Sequence, residues 1–200
     1  MLDLPTDLPA DLAPLAWLIG VWEGTGVIDY EASGHHFSGE FAHRVSFSHD
    51  GGDYLNYSAN AWLLGGADAR TPLVAEMGFW RLSRPATDAD PGPGLLPARS
   101  APVVRTASDV EALRTPEGGF DIEVSLVHAD GVSELYLGQI RGPRIDIATD
   151  AVVRTAGAKA YSAATRMYGL VDNHLLWAWD AAALGSDLSS HASARLARAE

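Results

Sequence analysis

Seven histidines and a single lysine are among the residues of this 200-residue sequence that could do chemistry, and there is no cysteine. Disulfides, thiolate metal sites and cysteine nucleophiles are therefore excluded. No H-E-x-x-H zinc motif, G-x-S-x-G nucleophile motif or paired-carboxylate signature is present. Six histidines are predicted to lie in turns or on polar strand faces: His35, His36, His43, His49, His128 and His174. The seventh, His191, lies near the end of a predicted strand between Ser190 and Ala192.

The segment Gly20-Val21-Trp22-Glu23-Gly24-Thr25-Gly26 has the pattern G-x-W-x-G-x-G. It is not a phosphate-binding loop, because a tryptophan lies inside it and no helix follows. Glycines in a strand allow sharp bends and close approach of neighbouring backbones. We therefore expect Gly20, Gly24 and Gly26 to serve barrel geometry and Trp22 to plug the base. Thr25 is a candidate for ligand contact.

Composition excludes several classes of partner. Apolar residues make up 47% and charged residues 20%, as in ordinary globular proteins. The formal net charge of −12, with scattered basic residues, argues against nucleic acid and anionic membranes as partners. No apolar run approaches the roughly 18 residues that a membrane span requires, and the first 13 residues do not resemble a signal peptide. We expect the protein to be cytoplasmic. We expect it to be a monomer or a homodimer.

About ten short strands follow one short N-terminal helix, which Asp11 is predicted to cap. In Phe120-Asp121-Ile122-Glu123-Val124 every second residue is apolar, which indicates a strand with one dry face. The ten predicted strands lie near 18–30, 37–48, 53–64, 73–83, 120–128, 132–140, 144–150, 160–171, 174–181 and 188–198. Tight turns between them indicate an antiparallel meander, which closure into a barrel frees of unpaired edges. A barrel of this size tends to enclose a ligand cavity.

The predicted organisation is one all-β domain over residues 1–200, with a closed antiparallel barrel and a long loop excursion at 84–119. The excursion is rich in Pro, Ala, Asp and Gly, with one helical turn predicted from Ser108 to Leu113. It is either disordered or a cover over the pocket.

Three motifs in order resemble the nitrobindin family. They are the G-x-W-x-G-x-G segment, Glu76-Met77-Gly78-Phe79-Trp80-Arg81, which is similar to an E-x-G-[FY]-x-R strand, and the ending His191-Ala192-Ser193-Ala194-Arg195-Leu196. The resemblance runs from about residue 12 to 198, outside the excursion.

The resemblance implies a barrel that holds heme b, ligated by His191, and an enzyme that isomerises peroxynitrite to nitrate and binds nitric oxide. Lys159, the only lysine, could offset a heme propionate. Several members of the family have a histidine where this sequence has Val74, so a more apolar distal pocket is expected. The alternative is a heme-free carrier of a fatty acid, with Arg44 or Arg81 as the carboxylate anchor. A third possibility is a barrel filled by its own side chains.

Overall fold

A computed structural model describes residues 8–32, 34–66, 69–101 and 103–199. The ten strands, β1 to β10 in chain order, are Gly20–Ala32, His35–Ser48, Tyr54–Leu64, Arg70–Leu82, Phe120–His128, Val132–Arg141, Arg144–Arg154, Tyr161–Val171, His174–Ala183 and Ser189–Arg198. Each strand pairs antiparallel with the next, and β1 pairs with β10, so the sheet closes into a barrel. The predicted closed antiparallel barrel is confirmed.

Local chemistry explains most of the hairpins. Asp172 and Asn173 both have positive φ, of 48° and 59°, the conformation of a tight two-residue turn that matches strand twist. Gly131 and Gly142 supply positive φ in two other hairpins. His35 and His36 were expected in a turn, but they begin β2, because the β1–β2 ladder continues to the pair Ala32 and His35.

One end of the barrel is closed by a 3-10 helix, Ala10–Leu18. Leu12, Leu15 and Leu18 of this helix are fully buried, and the indole nitrogen of Trp22 donates to the Leu18 carbonyl at 2.7 Å. Trp22 thus plugs the base as expected. The expected cap was wrong: Pro9 occupies the N-cap position, and Asp11 is buried within the first turn, paired with Arg105 at 2.9 Å.

The motif glycines let β1 lie close to β10. A Cβ built on Gly24 would lie 2.3 Å from the Arg195 carbonyl oxygen, and one on Gly26 would lie 2.3 Å from that of Ser193. Any side chain would therefore push the two strands apart. Gly20 has φ +130° beside Arg198, whose guanidinium lies 4.8 Å from the Trp22 ring centre.

The excursion between β4 and β5 packs against the closed end. Its helix α1, Ala107–Glu111, confirms the predicted helical turn. Arg84 binds Asp53 at 2.8 Å and Asp90 at 2.6 Å, and Arg105 binds Asp11. These contacts lie at the end opposite the cavity described below, so the described part of this segment is not a pocket cover. None of the helices in the described ranges is long and apolar enough to cross a bilayer. The cytoplasmic location stays a prediction.

Candidate heme cavity

A cavity of about 220 Å³ opens at the end of the barrel away from the 3-10 helix. Aromatic and aliphatic side chains form most of its wall, among them Tyr30, Phe41, Trp177 and Trp179. Four polar side chains, His43, Glu76, Arg166 and His191, also line it. The barrel is therefore not filled by its own side chains at this end.

His191 reaches the cavity because of a β-bulge. In β10 the inward residues are Ala192, Ala194 and Leu196, so regular alternation would direct His191 outward. The register with β9 shifts between Ser190 and Ala192, which leaves His191 as the extra residue. Bulges re-aim side chains in this way next to functional sites. Both His191 and Ala192 consequently line the cavity.

Aromatic rings hold the His191 imidazole in place. The ring of Tyr30 stacks on it at 3.7 Å between centroids, with 16° between the planes, and Trp179 lies 5.3 Å away. Burial lowers the pKa of His191, so the ring is neutral at neutral pH. Within the described ranges no hydrogen bond involves this ring. Because nitrogen lone pairs lie in the ring plane, stacking on the ring face leaves one free to ligate.

A second bulge shapes the facing wall. Ala61 pairs with Val74 and Trp62 with Pro72, so Leu73 is the extra residue of β4. Leu73 and Val74 both line the cavity. Val74, which was expected in the wall of the distal pocket, therefore does face the cavity.

A buried ion cluster, formed by Glu76, His128, Glu134 and Arg166, lies beside the cavity in the interior of the barrel. Arg166 donates to both carboxylate oxygens of Glu76, at 2.6 and 2.9 Å, and to Glu134 at 3.3 Å. His128 Nε2 lies 2.5 Å from Glu134. Burial raises the pKa of Glu76, but Arg166 outweighs it and brings that pKa down to about 2. The cluster is thus an ionised network in which Arg166 is paired with both carboxylates.

Hydroxyl groups complete this ion cluster. Tyr57 donates to Glu76 at 2.6 Å, and Tyr136 and Tyr161 each donate to Glu134 at 2.6 Å. Ligand atoms of Glu76, His128 and Glu134 lie within 4.8 Å of one another, a spacing that could hold a metal ion. A bound cation would compete with the Arg166 guanidinium for both carboxylates. The geometry therefore favours an ion-pair network over a metal site.

Comparison with known proteins identifies the barrel. Residues 11–198 match the model of the THAP4-like, heme-binding β-barrel domain. The chain belongs to this family. The predicted resemblance to nitrobindins is confirmed.

Curated relatives agree with this family assignment, and a solved structure shows the same fold. The chain is 64% identical to a peroxynitrite isomerase of Leifsonia xyli subsp. xyli and 56% identical to one of Clavibacter michiganensis subsp. michiganensis, each over the full length of both chains. The crystal structure of Rv2717c from M. tuberculosis has the same fold, with a TM-score of 0.67 and 23% identity over 99% of this chain and 100% of that one.

The residues present in the cavity fit a heme. His191 offers a neutral imidazole, the form that ligates iron, and none of the described residues hydrogen-bonds to it. Tyr30, Phe41 and Trp179 provide flat apolar surface beside it. A ligating histidine usually donates its second ring nitrogen to an acceptor, and none of the described residues accepts from His191. Ring contacts with Tyr30 and Trp179 orient the imidazole instead.

The other predicted site residues have mixed outcomes. Thr25 is exposed on the outer face of β1, because alternation directs Trp22 and Ile28 inward, so the predicted ligand contact is wrong. Lys159 is exposed in the β7–β8 loop at the open end and borders a smaller cleft beside Trp179 and His128. Its pairing with a propionate stays a prediction.

Two histidines and one arginine in the interior were missed. His43 and His128 were placed on polar faces or at turns, but His43 is buried in the cavity wall and His128 belongs to the ion cluster. Arg166 was not singled out, although its alternation with Ala164 and Tyr168 directs it inward. Arg44 and Arg81 were the expected interior anchors, but they point outward and pair with Glu23 and Glu123 respectively.

Proposed function

We propose that this protein binds heme b in the open-end cavity through His191 and isomerises peroxynitrite to nitrate. The observation that carries the proposal is the bulge in β10, which turns one neutral, unpartnered imidazole into an aromatic cavity. Relatives of this chain that are 64% and 56% identical over their full length are named peroxynitrite isomerase, which supports the same reaction here.

The reaction itself sets modest demands on the protein. Peroxynitrite and nitrate contain the same atoms and carry the same charge, so conversion breaks an O–O bond and forms an N–O bond without net gain of protons or electrons. When bound, heme supplies iron as a Lewis acid for the peroxynitrite anion. An acid–base pair beside the iron is not required by this stoichiometry.

The residues of the cavity suit these demands. His191 holds the cofactor at one wall, while Val74, Leu73 and Phe41 keep the space dry. A dry, enclosed space favours recombination of fragments over their reaction with water. The same site would bind nitric oxide at ferrous iron. Lys159, at the open end, would offset the charge of a propionate.

A heme-free fatty-acid carrier is less well supported. Such a carrier needs a free interior cation for the carboxylate, and Arg166 is already bound by Glu76 and Glu134. A third carboxylate would compete with both.

Heme titration tests the proposal. We expect a sharp Soret band that saturates at one equivalent, and nitrate formation from peroxynitrite faster than with free heme in stopped-flow mixing. His191→Ala should weaken and shift the band, speed heme loss and reduce isomerisation to the free-heme rate. His174→Ala, at an exposed turn, is the matched control and should behave as wild type. An unchanged spectrum in His191→Ala would end the assignment of this residue. No band, with displacement of a fluorescent lipid probe, would favour the carrier.

A further inference from the structure

His43 is a second imidazole in the wall of the same cavity. It lies on β2 and is only 4% exposed. Its ring packs edge-on against Trp177 at 4.7 Å and lies 5.7 Å from Phe41. Its Nδ1 atom is enclosed and has no hydrogen-bond partner among the described residues. Nε2 also makes no hydrogen bond with the described residues, but it is not enclosed, so it is the ring nitrogen that can reach a ligand in the cavity.

The His43 ring is neutral at physiological pH. Burial lowers its pKa to about 4; Glu76 opposes this shift and Arg166 adds to it. A neutral imidazole has one N–H donor and one acceptor nitrogen. No hydrogen bond within the described part of the chain fixes which nitrogen carries the proton. The ring can therefore present an N–H to an anion without the cost of burying a charge.

Strand register relates His43 to His191 and Val74. Trp177 and Trp179 are successive inward residues of β9; the first contacts His43 and the second contacts His191. The rings of His43 and His191 therefore border the same cavity, and they are separated by one inward position of β9. Across the sheet, His43 pairs with Ala61, and Ala61 pairs with Val74. Because the side chain of Ala61 is small, few atoms lie between His43 and the part of the cavity wall that Val74 forms.

We propose that His43 donates a hydrogen bond to small anionic ligands held in this cavity, and so supplies the polar contact that Val74 cannot provide. The inference rests on the proposed function and adds a ligand-contacting residue to it. The ligand class is a small nitrogen–oxygen anion or a comparably small inorganic anion.

Fluoride binding to the ferric, heme-loaded protein tests this proposal without measuring turnover. Fluoride is a small anion whose affinity depends on hydrogen-bond donors near it. We expect His43→Leu to weaken fluoride binding about tenfold or more, the effect of losing one charge-assisted hydrogen bond. His43→Gln, which keeps a donor, should recover much of the affinity. His174→Leu, at an exposed turn, is the matched control and should leave the affinity unchanged.

A second measurement compares the vibration of a bound ligand in wild type and His43→Leu. In the ferrous carbon monoxide complex, a donor near the ligand lowers the C–O stretching frequency, so wild type should absorb at lower frequency than His43→Leu. Equal fluoride affinity and equal stretching frequency in wild type and His43→Leu, with a normal Soret band, would overturn this inference and leave the proposed function intact. Absence of a Soret band in wild type would overturn both. If His43→Leu does not fold, His43→Phe, which also lacks a donor, replaces it in both measurements.

Discussion

At the end of the barrel beside the 3-10 helix, Trp22 and Trp80 are no more than 1% exposed and pack with buried leucines. At the other end, Tyr30, Trp179 and His191 are only partly buried and border a cavity. The same β-strands supply both ends. The closed end is packed like a protein core, whereas the open end leaves an aromatic space unfilled. Stability and ligand binding are thus assigned to different layers of one sheet.

The ion cluster lies beside this cavity and couples β4, β6 and β8 across the interior. Among the described residues Arg166 is the one arginine of the cluster, and it faces two carboxylates, Glu76 and Glu134. Because those carboxylates cannot reach water, the cluster should respond to mutation more strongly than either apolar layer does.

The largest effect is expected for Arg166→Leu. The change leaves Glu76 and Glu134 buried without their cation, which costs about 3–5 kcal/mol. Urea denaturation of the heme-free protein measures it. Arg44→Leu removes an exposed arginine paired with Glu23 and should cost about 1 kcal/mol or less. Similar losses in the two variants would contradict the role assigned to the cluster.

Trp22→Ala should be nearly as damaging, since it empties the packed end. We expect a loss of about 3–5 kcal/mol in the free energy of unfolding. Trp22→Phe is the control, because it keeps a ring and loses mainly the bond to Leu18. The heme stoichiometry of a folded Trp22→Ala sample should stay at one. A folded variant that no longer binds heme would show that the two ends are not independent.

Acid should destabilise the heme-free protein through His43. Its folded pKa, about 4, lies below the ordinary value near 6.5, so between these values the unfolded chain binds a proton that the folded chain does not. Stability present above pH 6.5 is therefore lost as the pH falls toward 4, by about 2 kcal/mol between pH 7 and 5. Burial also lowers the pKa of His191, which acts in the same direction.

Urea denaturation at pH 7 and pH 5 measures this linkage. His43→Phe should show a smaller difference between the two pH values than wild type. Glu76 also contributes to the free energy of unfolding. Because its folded pKa is depressed, that stability is lost at lower pH, from pH 4.5 down to about 2. Equal pH dependence in wild type and His43→Phe would refute a neutral, buried His43.

The smallest effect on stability is expected for His191→Ala without heme. The ring contacts Tyr30 and Trp179 at the rim of a cavity, so its loss removes few core contacts. We expect a change within about 1 kcal/mol. Compared with Trp22→Ala, this truncation tests the difference between the two ends directly. A loss as large as that of Trp22→Ala would mean that His191 is a packing residue.

Local patterns in the sequence predicted the strands well. The alternation in Phe120-Asp121-Ile122-Glu123-Val124 matches the inward and outward faces of β5. The strand boundaries differ by a few residues, as at β7, which continues to Arg154 instead of ending near residue 150. Turn residues such as Asp172-Asn173 predicted where hairpins form. These features depend on neighbours in the chain, so the sequence alone determines them.

The cavity was decided by tertiary structure. Period-two alternation places His191 outside with Ser193 and Arg195, and only its mismatch against β9 turns it inward. Arg166 and Glu76 are 90 residues apart and meet only when the barrel closes. A strand period carries information over two residues, whereas bulges and ion pairs depend on which strands become neighbours. The sequence therefore determined the ten strands of the antiparallel barrel. Closure of the barrel decided which side chains share the cavity.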